Sequence, residues 1–168
     1  KSWRAESPGG WWLGFRESHS AGQRHLRILD LRMYEVFEHT ADVGLRARAT
    51  DLNELFAEAA RALFSLILAN PDSVRPVQEA SIRIEGDQVE DLLFDWLAEL
   101  LYRFDTNHLL FRDFHVAVDA AGLEATARGE PVDLGRHELE MELKAITYHG
   151  LTVRREGGGW LAEVIVDI

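Results

Sequence analysis

The stretch Val43-Gly44-Leu45-Arg46-Ala47-Arg48-Ala49-Thr50-Asp51-Leu52-Asn53-Glu54-Leu55-Phe56 changes its hydrophobic period halfway along. Val43, Leu45, Ala47 and Ala49 alternate with Gly44, Arg46, Arg48 and Thr50, the period of a strand with one buried face. Asp51 then stands three residues before Glu54, the spacing of a capping box. Leu52, Leu55, Phe56, Ala59, Leu63 and Ile67 follow at helical spacing, and Asn70-Pro71-Asp72 stops the helix. A strand that feeds directly into an amphipathic helix is the seed of a mixed α and β fold.

Working outward, Tyr34 to Glu38 is rich in aromatic and β-branched residues and reads as a preceding strand. Downstream, Val77 to Glu85 alternates with Ala80, Ile82 and Ile84 on one face. Asp87 with Glu90 repeats the capping pattern, and Leu92, Leu93, Trp96, Leu97, Leu100, Leu101 and Phe104 define a second amphipathic helix. That stripe reads as core packing, and the acidic run Glu85, Asp87, Glu90, Asp91 and Asp95 as capping and dipole complementation at the helix start. Strands are then expected at Leu109 to Phe111, Phe114 to Val118, Leu123 to Arg128, Leu139 to Thr147, Leu151 to Arg155 and Trp160 to Val166. Asp119-Ala120-Ala121-Gly122 and Glu156-Gly157-Gly158-Gly159 read as hairpin turns. This order implies an α+β fold in two layers, two amphipathic helices on one face of a mostly antiparallel β-sheet, without an internal repeat.

The chain has 168 residues, which is enough for one domain with a substantial core. It contains no cysteine, so disulfide frameworks, thiolate metal sites and cysteine nucleophiles are excluded. Its formal charge of −11 disfavours direct nucleic-acid binding. The acidity suits a protein that holds metal ions or docks on a basic partner, and it also serves solubility. No apolar run reaches the roughly 20 residues that span a bilayer, and the N-terminus lacks a secretory h-region.

Residues 1–32 stand apart: Lys1, Arg4, Arg16, Arg24, Arg27 and Arg32 outnumber Glu6, Glu17 and Asp30, and Trp3, Trp11 and Trp12 follow no period. This basic extension reads as a tail without structure, as sequence upstream of a natural start at Met33, or as a phosphate-binding arm. The folded domain is expected over residues 33–168.

Three polar segments could carry chemistry. His39-Thr40-Ala41-Asp42-Val43-Gly44 crowds an imidazole, a hydroxyl and a carboxylate into a short link between strands. Asp42 there is either a turn residue accepting backbone N–H bonds or a ligand. Lys144-Ala145-Ile146-Thr147-Tyr148-His149 opens with a lysine on the polar side of its alternation, either solvated or aimed at acidic or phosphate groups. Asp167-Ile168 closes a nearly all-apolar strand, with Asp167 on the side of Leu161, Glu163 and Ile165. A carboxylate there is either a solvated chain end or part of a cation site. His137 and His149 lack metal-ligand spacing, and no catalytic triad is legible.

Together these segments resemble the archease family, over nearly all of residues 33–168. Leu52-Asn53-Glu54-Leu55-Phe56 and Leu92-Leu93-Phe94-Asp95-Trp96-Leu97 also look familial. The resemblance implies a cytoplasmic, non-catalytic activator of the RtcB-type RNA ligase of tRNA splicing. Such a protein promotes guanylylation of a ligase histidine from GTP and restores turnover. The partner implied is the ligase, which alone meets GTP and RNA, with no membrane and no direct nucleic-acid contact. Carried onto matching positions, the divalent metal, Ca²⁺ favoured over Mg²⁺, falls to Asp42, Asp167 and an oxygen of Ile168, and activation also needs Lys144. Such hard oxygen donors suit those ions. Two other readings stay open. One is a chaperone-like binding module for RNA-processing enzymes. The other is a metal-dependent phosphohydrolase with His39 as its only nearby base.

Overall fold

The computed structural model describes residues 33–39 and 42–168. The basic extension and the Thr40-Ala41 pair lie outside the described residues. The elements run β1 (Tyr34–His39), β2 (Asp42–Ala49), α1 (Leu52–Ile67), a 3-10 turn (Pro71–Ser73), β3 (Gln78–Glu85), α2 (Val89–Asn107), β4 (Leu109–Asp119), β5 (Gly122–Pro131), β6 (Ala145–Glu156) and β7 (Gly159–Asp167). The α+β class expected from the sequence is the observed one, and every strand pairing is antiparallel. The strands divide between two sheets, ordered β1-β2-β7-β6 and β3-β5-β4.

Helix α1 contacts β2 of the first sheet and β4 of the second. It is therefore buried on nearly every side, from Leu55 through Ile67. Glu58 is tolerated in that setting because Arg61 pairs with it. Asp51 caps α1 as its spacing requires, its carboxylate accepting the Glu54 N–H at 2.9 Å. Helix α2 buries one face, Leu92, Leu93, Trp96, Leu97, Leu100, Leu101 and Phe104. Trp96 is wholly buried, donates its indole N–H to the Phe56 carbonyl at 3.0 Å and meets Phe114 edge-on at 6.1 Å. Phe64 of α1 stacks on the same Phe114 ring at 6.0 Å, so one aromatic cluster joins both helices to the second sheet.

Several local expectations are corrected. Asp87 does not cap α2: the cap position is Gln88, without a side-chain hydrogen bond, and Asp87 instead accepts from the Gln88 amide. The strand expected over Leu139 to Thr147 begins only at Ala145. Upstream of it the chain runs beside the end of α1, with Glu140 N–H donating to Ile67 and Ala69 N–H to Glu138, each at 2.8 Å. Those bonds satisfy a helix-end carbonyl, so the alternation of Leu139, Met141 and Leu143 serves a helix end instead of a ladder. Leu109–Phe111 and Phe114–Val118 are one strand broken by a register shift between Phe111 and Asp113. Likewise β6 is one strand whose pairing with β7 is interrupted between Thr147 and Thr152. The Glu156–Gly159 hairpin forms as expected, with Gly157 and Gly158 at φ of 59° and 82°, which a side chain would disfavour.

A buried polar cluster was not foreseen. Glu130 on β5 accepts the Arg75 N–H at 2.8 Å and the Arg136 guanidinium at 2.8 Å. The His137 ring accepts the Asp133 N–H at Nδ1 and therefore donates from Nε2 to Glu130, at 3.1 Å. The guanidinium bond from Arg136, assisted by the N–H of Arg75, holds the Glu130 carboxyl down at about 2 against the opposing effect of burial. Glu130→Ala is expected to lower unfolding stability by about 3 kcal/mol near neutral pH, because it strands buried donors. A depressed carboxyl stabilises the fold above its unfolded titration range. The deficit should therefore shrink as pH falls from the ordinary carboxylate range towards about 2, as urea titrations would measure.

Candidate functional site

The first sheet is locked on its outer face by arginines. Arg46 on β2 donates to Glu35 on β1 at 2.7 Å and to Glu163 on β7 at 2.7 Å. The same guanidinium lies over the Phe37 ring at 5.0 Å. Phe37 in turn covers Gly44, its cross-strand partner, where an added Cβ would fall 2.1 Å from the ring. Hydrogen bonds from Arg46 hold the carboxyls of Glu35 and Glu163 below their usual range. The glycine of the hexapeptide thus lets an aromatic ring close over the strand, and the arginine clamps β1, β2 and β7 in register.

That register assembles the site. Asp42 is the direct partner of Asp167 across β2 and β7, His39 of Asp42 across β1 and β2, and Ala145 of Asp167 across β6 and β7. Strand alternation sets Asp42 on the face of Gly44 and Arg46, and Asp167 on the face of Ile165 and Glu163, so the two carboxylates share the outer face. Both are half-buried. Lys144, one residue before β6, closes the row: its N–H donates to the Asp167 carbonyl at 2.8 Å and its ammonium to the Ile168 carbonyl oxygen at 3.0 Å.

The four residues singled out in sequence, Asp42, Lys144, Asp167 and Ile168, are therefore brought to one end of one sheet. His39 joins them by backbone register alone. His137 and His149 are not part of this row.

Two carboxylates directly opposite one another repel, and a cation between them reverses that cost. The donors are all oxygens: two carboxylates and the main-chain oxygen of Ile168. Among the described residues no group of three or more His, Cys, Asp or Glu side chains gathers as a ready-made metal cage. Such oxygens are hard donors, able to hold a divalent ion whose shell water completes. Lys144, already on the Ile168 oxygen, adds a positive charge beside the pair.

The chain is an α+β domain with helices packed against two antiparallel sheets, and an acid-and-lysine row stands at one sheet end. This chain belongs to the archease family: the profile of the Archease protein family matches residues 34–168. It is similar to the archease of Methanopyrus kandleri, 42% identical over 139 residues that cover 80% of this chain and 99% of the relative. The archease of Pyrococcus furiosus is 39% identical, covering 82% of this chain and all of the relative. The solution structure of Methanobacterium thermoautotrophicum protein 1598 superposes with a TM-score of 0.73 at 37% identity, covering 82% of this chain and 100% of that one. A crystal structure from Thermotoga maritima, described as an archease and possible chaperone, shares the fold with a TM-score of 0.55 at 21% identity. It covers 79% of this chain and 94% of its own.

Proposed function

We propose that this protein activates an RtcB-type RNA ligase in tRNA splicing or RNA repair, acting as a protein cofactor without catalytic residues of its own. The observation that carries this reading is the convergence of Asp42, Lys144, Asp167 and Ile168 at one sheet end. Half-buried carboxylates at a sheet end, with exposed Lys144 beside them, suit contact with a partner's pocket. Guanylylation of a ligase histidine from GTP develops charge on phosphate oxygens, and groups that neutralise that charge in place lower its barrier. Asp42, Asp167 and the Ile168 oxygen would hold a divalent ion through hard oxygen donors, and the family resemblance favours Ca²⁺ over Mg²⁺. When bound, the ion supplies positive charge to the ligase centre. Lys144 tethers the Asp167-Ile168 end and offers a second positive charge to the same region. GTP and RNA meet the ligase, not this chain, and the function belongs to the cytoplasm.

The test is ligation of broken tRNA in excess over limiting ligase. Multiple turnovers are expected with this protein and about one without it. Equal turnover in both arms sinks the activator reading. Lys144→Ala should reduce single-turnover guanylylation about 10-fold while leaving the fold intact by circular dichroism.

The description of the Thermotoga maritima relative as a possible chaperone favours a second reading, a binding module that stabilises RNA-processing enzymes. It requires that unrelated clients be protected from aggregation and that Lys144→Ala protect them as well as the unaltered chain does.

A further inference from the structure

The segment Lys144–His149 carries an aromatic group that the acidic row does not use. Where β6 loses its pairing with β7 between Thr147 and Thr152, its register is irregular and Gly150 takes a positive φ of 66°. This lays the Tyr148 ring on Phe94 of α2, with centroids 3.9 Å apart and planes 12° from parallel. Tyr148 is nonetheless 57% exposed, so the ring surface turned away from Phe94 is open to water. Four and eight residues along α2 from Phe94 lie half-buried Ala98 and Tyr102, the latter 61% exposed, extending an apolar ridge.

The surroundings of this ridge are acidic. Asp91 and Asp95 are both exposed, one helical turn apart. Their carboxylates act on the Tyr148 hydroxyl, which burial, the two negative charges and a hydrogen bond with Asp91 hold above its usual titration range. Like charges at this spacing repel. Among the described residues, no lysine or arginine forms an ion pair with either. Two other rings of this chain do carry a guanidinium: Arg46 over Phe37 at 5.0 Å and Arg155 over Trp160 at 4.5 Å. Among the described residues, no guanidinium covers Tyr148 in the same way.

We propose that Tyr148 and Phe94, with Asp91 and Asp95, form a docking surface for an arginine-bearing segment of a protein partner, whose guanidinium lies on Tyr148 and pairs with the two carboxylates. A planar cation matches a flat ring beside carboxylates better than an ammonium does. The same carboxylates repel a phosphate backbone, which excludes nucleic acid as the occupant. The surface lies about 13 Å along β6 from Lys144, at the rise of an extended strand. The choice of partner rests on the activator reading, in which the docked protein is the ligase.

Two measurements test it. In an NMR titration of the full chain, acetyl-Gly-Arg-Gly-amide should move the Phe94 and Tyr148 ring signals saturably, and its citrulline counterpart should not. The response should vanish in the D91N/D95N double variant. No shift with the arginine peptide, or equal shifts with citrulline, overturns the proposal. In ligase assays, Tyr148→Leu should raise the half-saturating concentration of this protein about 10-fold with the plateau of activation intact. An unchanged half-saturation in a responsive ligase overturns the docking surface. No activation by the unaltered chain overturns the activator reading instead, and the peptide titration then decides the surface alone.

Discussion

Asp42→Asn and Asp167→Asn are each expected to abolish divalent-ion binding and to cut ligase guanylylation by about 100-fold, close to the rate without the protein. The two carboxylates are register partners on one face, so in the proposed site neutralising either one removes half of the side-chain donors. The fold should not suffer. Removing one of two opposed negative charges relieves repulsion, so ion-free Asp167→Asn should melt at or slightly above the temperature of the unaltered chain. The discriminating measurement is a pair of melts with and without Ca²⁺. A ligand that binds only the folded state raises its melting temperature. That rise should appear for the unaltered chain and disappear in both variants. A variant that keeps the Ca²⁺-dependent rise and full activation would sink the shared-site assignment. One that loses the rise but still activates the ligase would separate metal binding from function.

The largest effect on stability is expected from Trp96→Ala, about 4 kcal/mol. Trp96 has no exposed surface, contacts Phe114 of the second sheet and donates to the Phe56 carbonyl of α1. The truncation removes the aromatic bridge between α2 and β4, opens a cavity and loses the additional hydrogen bond to a helix carbonyl. Trp96→Phe should cost less, since it keeps most of the packing and loses chiefly the hydrogen bond. Urea unfolding followed by circular dichroism measures both. Equal midpoints for Trp96→Ala and the unaltered chain would show that this cluster is not the centre of the core. These losses are independent of the acidic row, so Trp96→Phe should retain activation wherever it remains folded.

What was legible in the sequence was local. The switch from period 2 to period 3.6 around Asp51 located β2, the cap and α1, because side-chain alternation and helical pitch are properties of the backbone itself. The glycine hairpin at Gly157-Gly158 was legible for the same reason. Asp42, Lys144 and Asp167 were visible as polar residues in unexpected places, and resemblance to a family supplied their roles. Composition could not say that they meet.

Three features were decided only by tertiary structure. The register Asp42↔Asp167, with Lys144 bonded to the last two residues, depends on strands 125 positions apart in sequence. Such pairing follows from which faces can be buried together, not from either segment alone. The division into two sheets around α1 depends on that helix being apolar on nearly every side, so that it needs a cover above and below. The Glu130 cluster and the stacking of Tyr148 on Phe94 join residues whose local patterns are ordinary. The sequence alone located both helices, β2, β3 and the glycine hairpin, since those follow from nearest-neighbour geometry. The site exists only where long-range packing closes the sheet and brings its carboxylates, lysine and last residue to a common end.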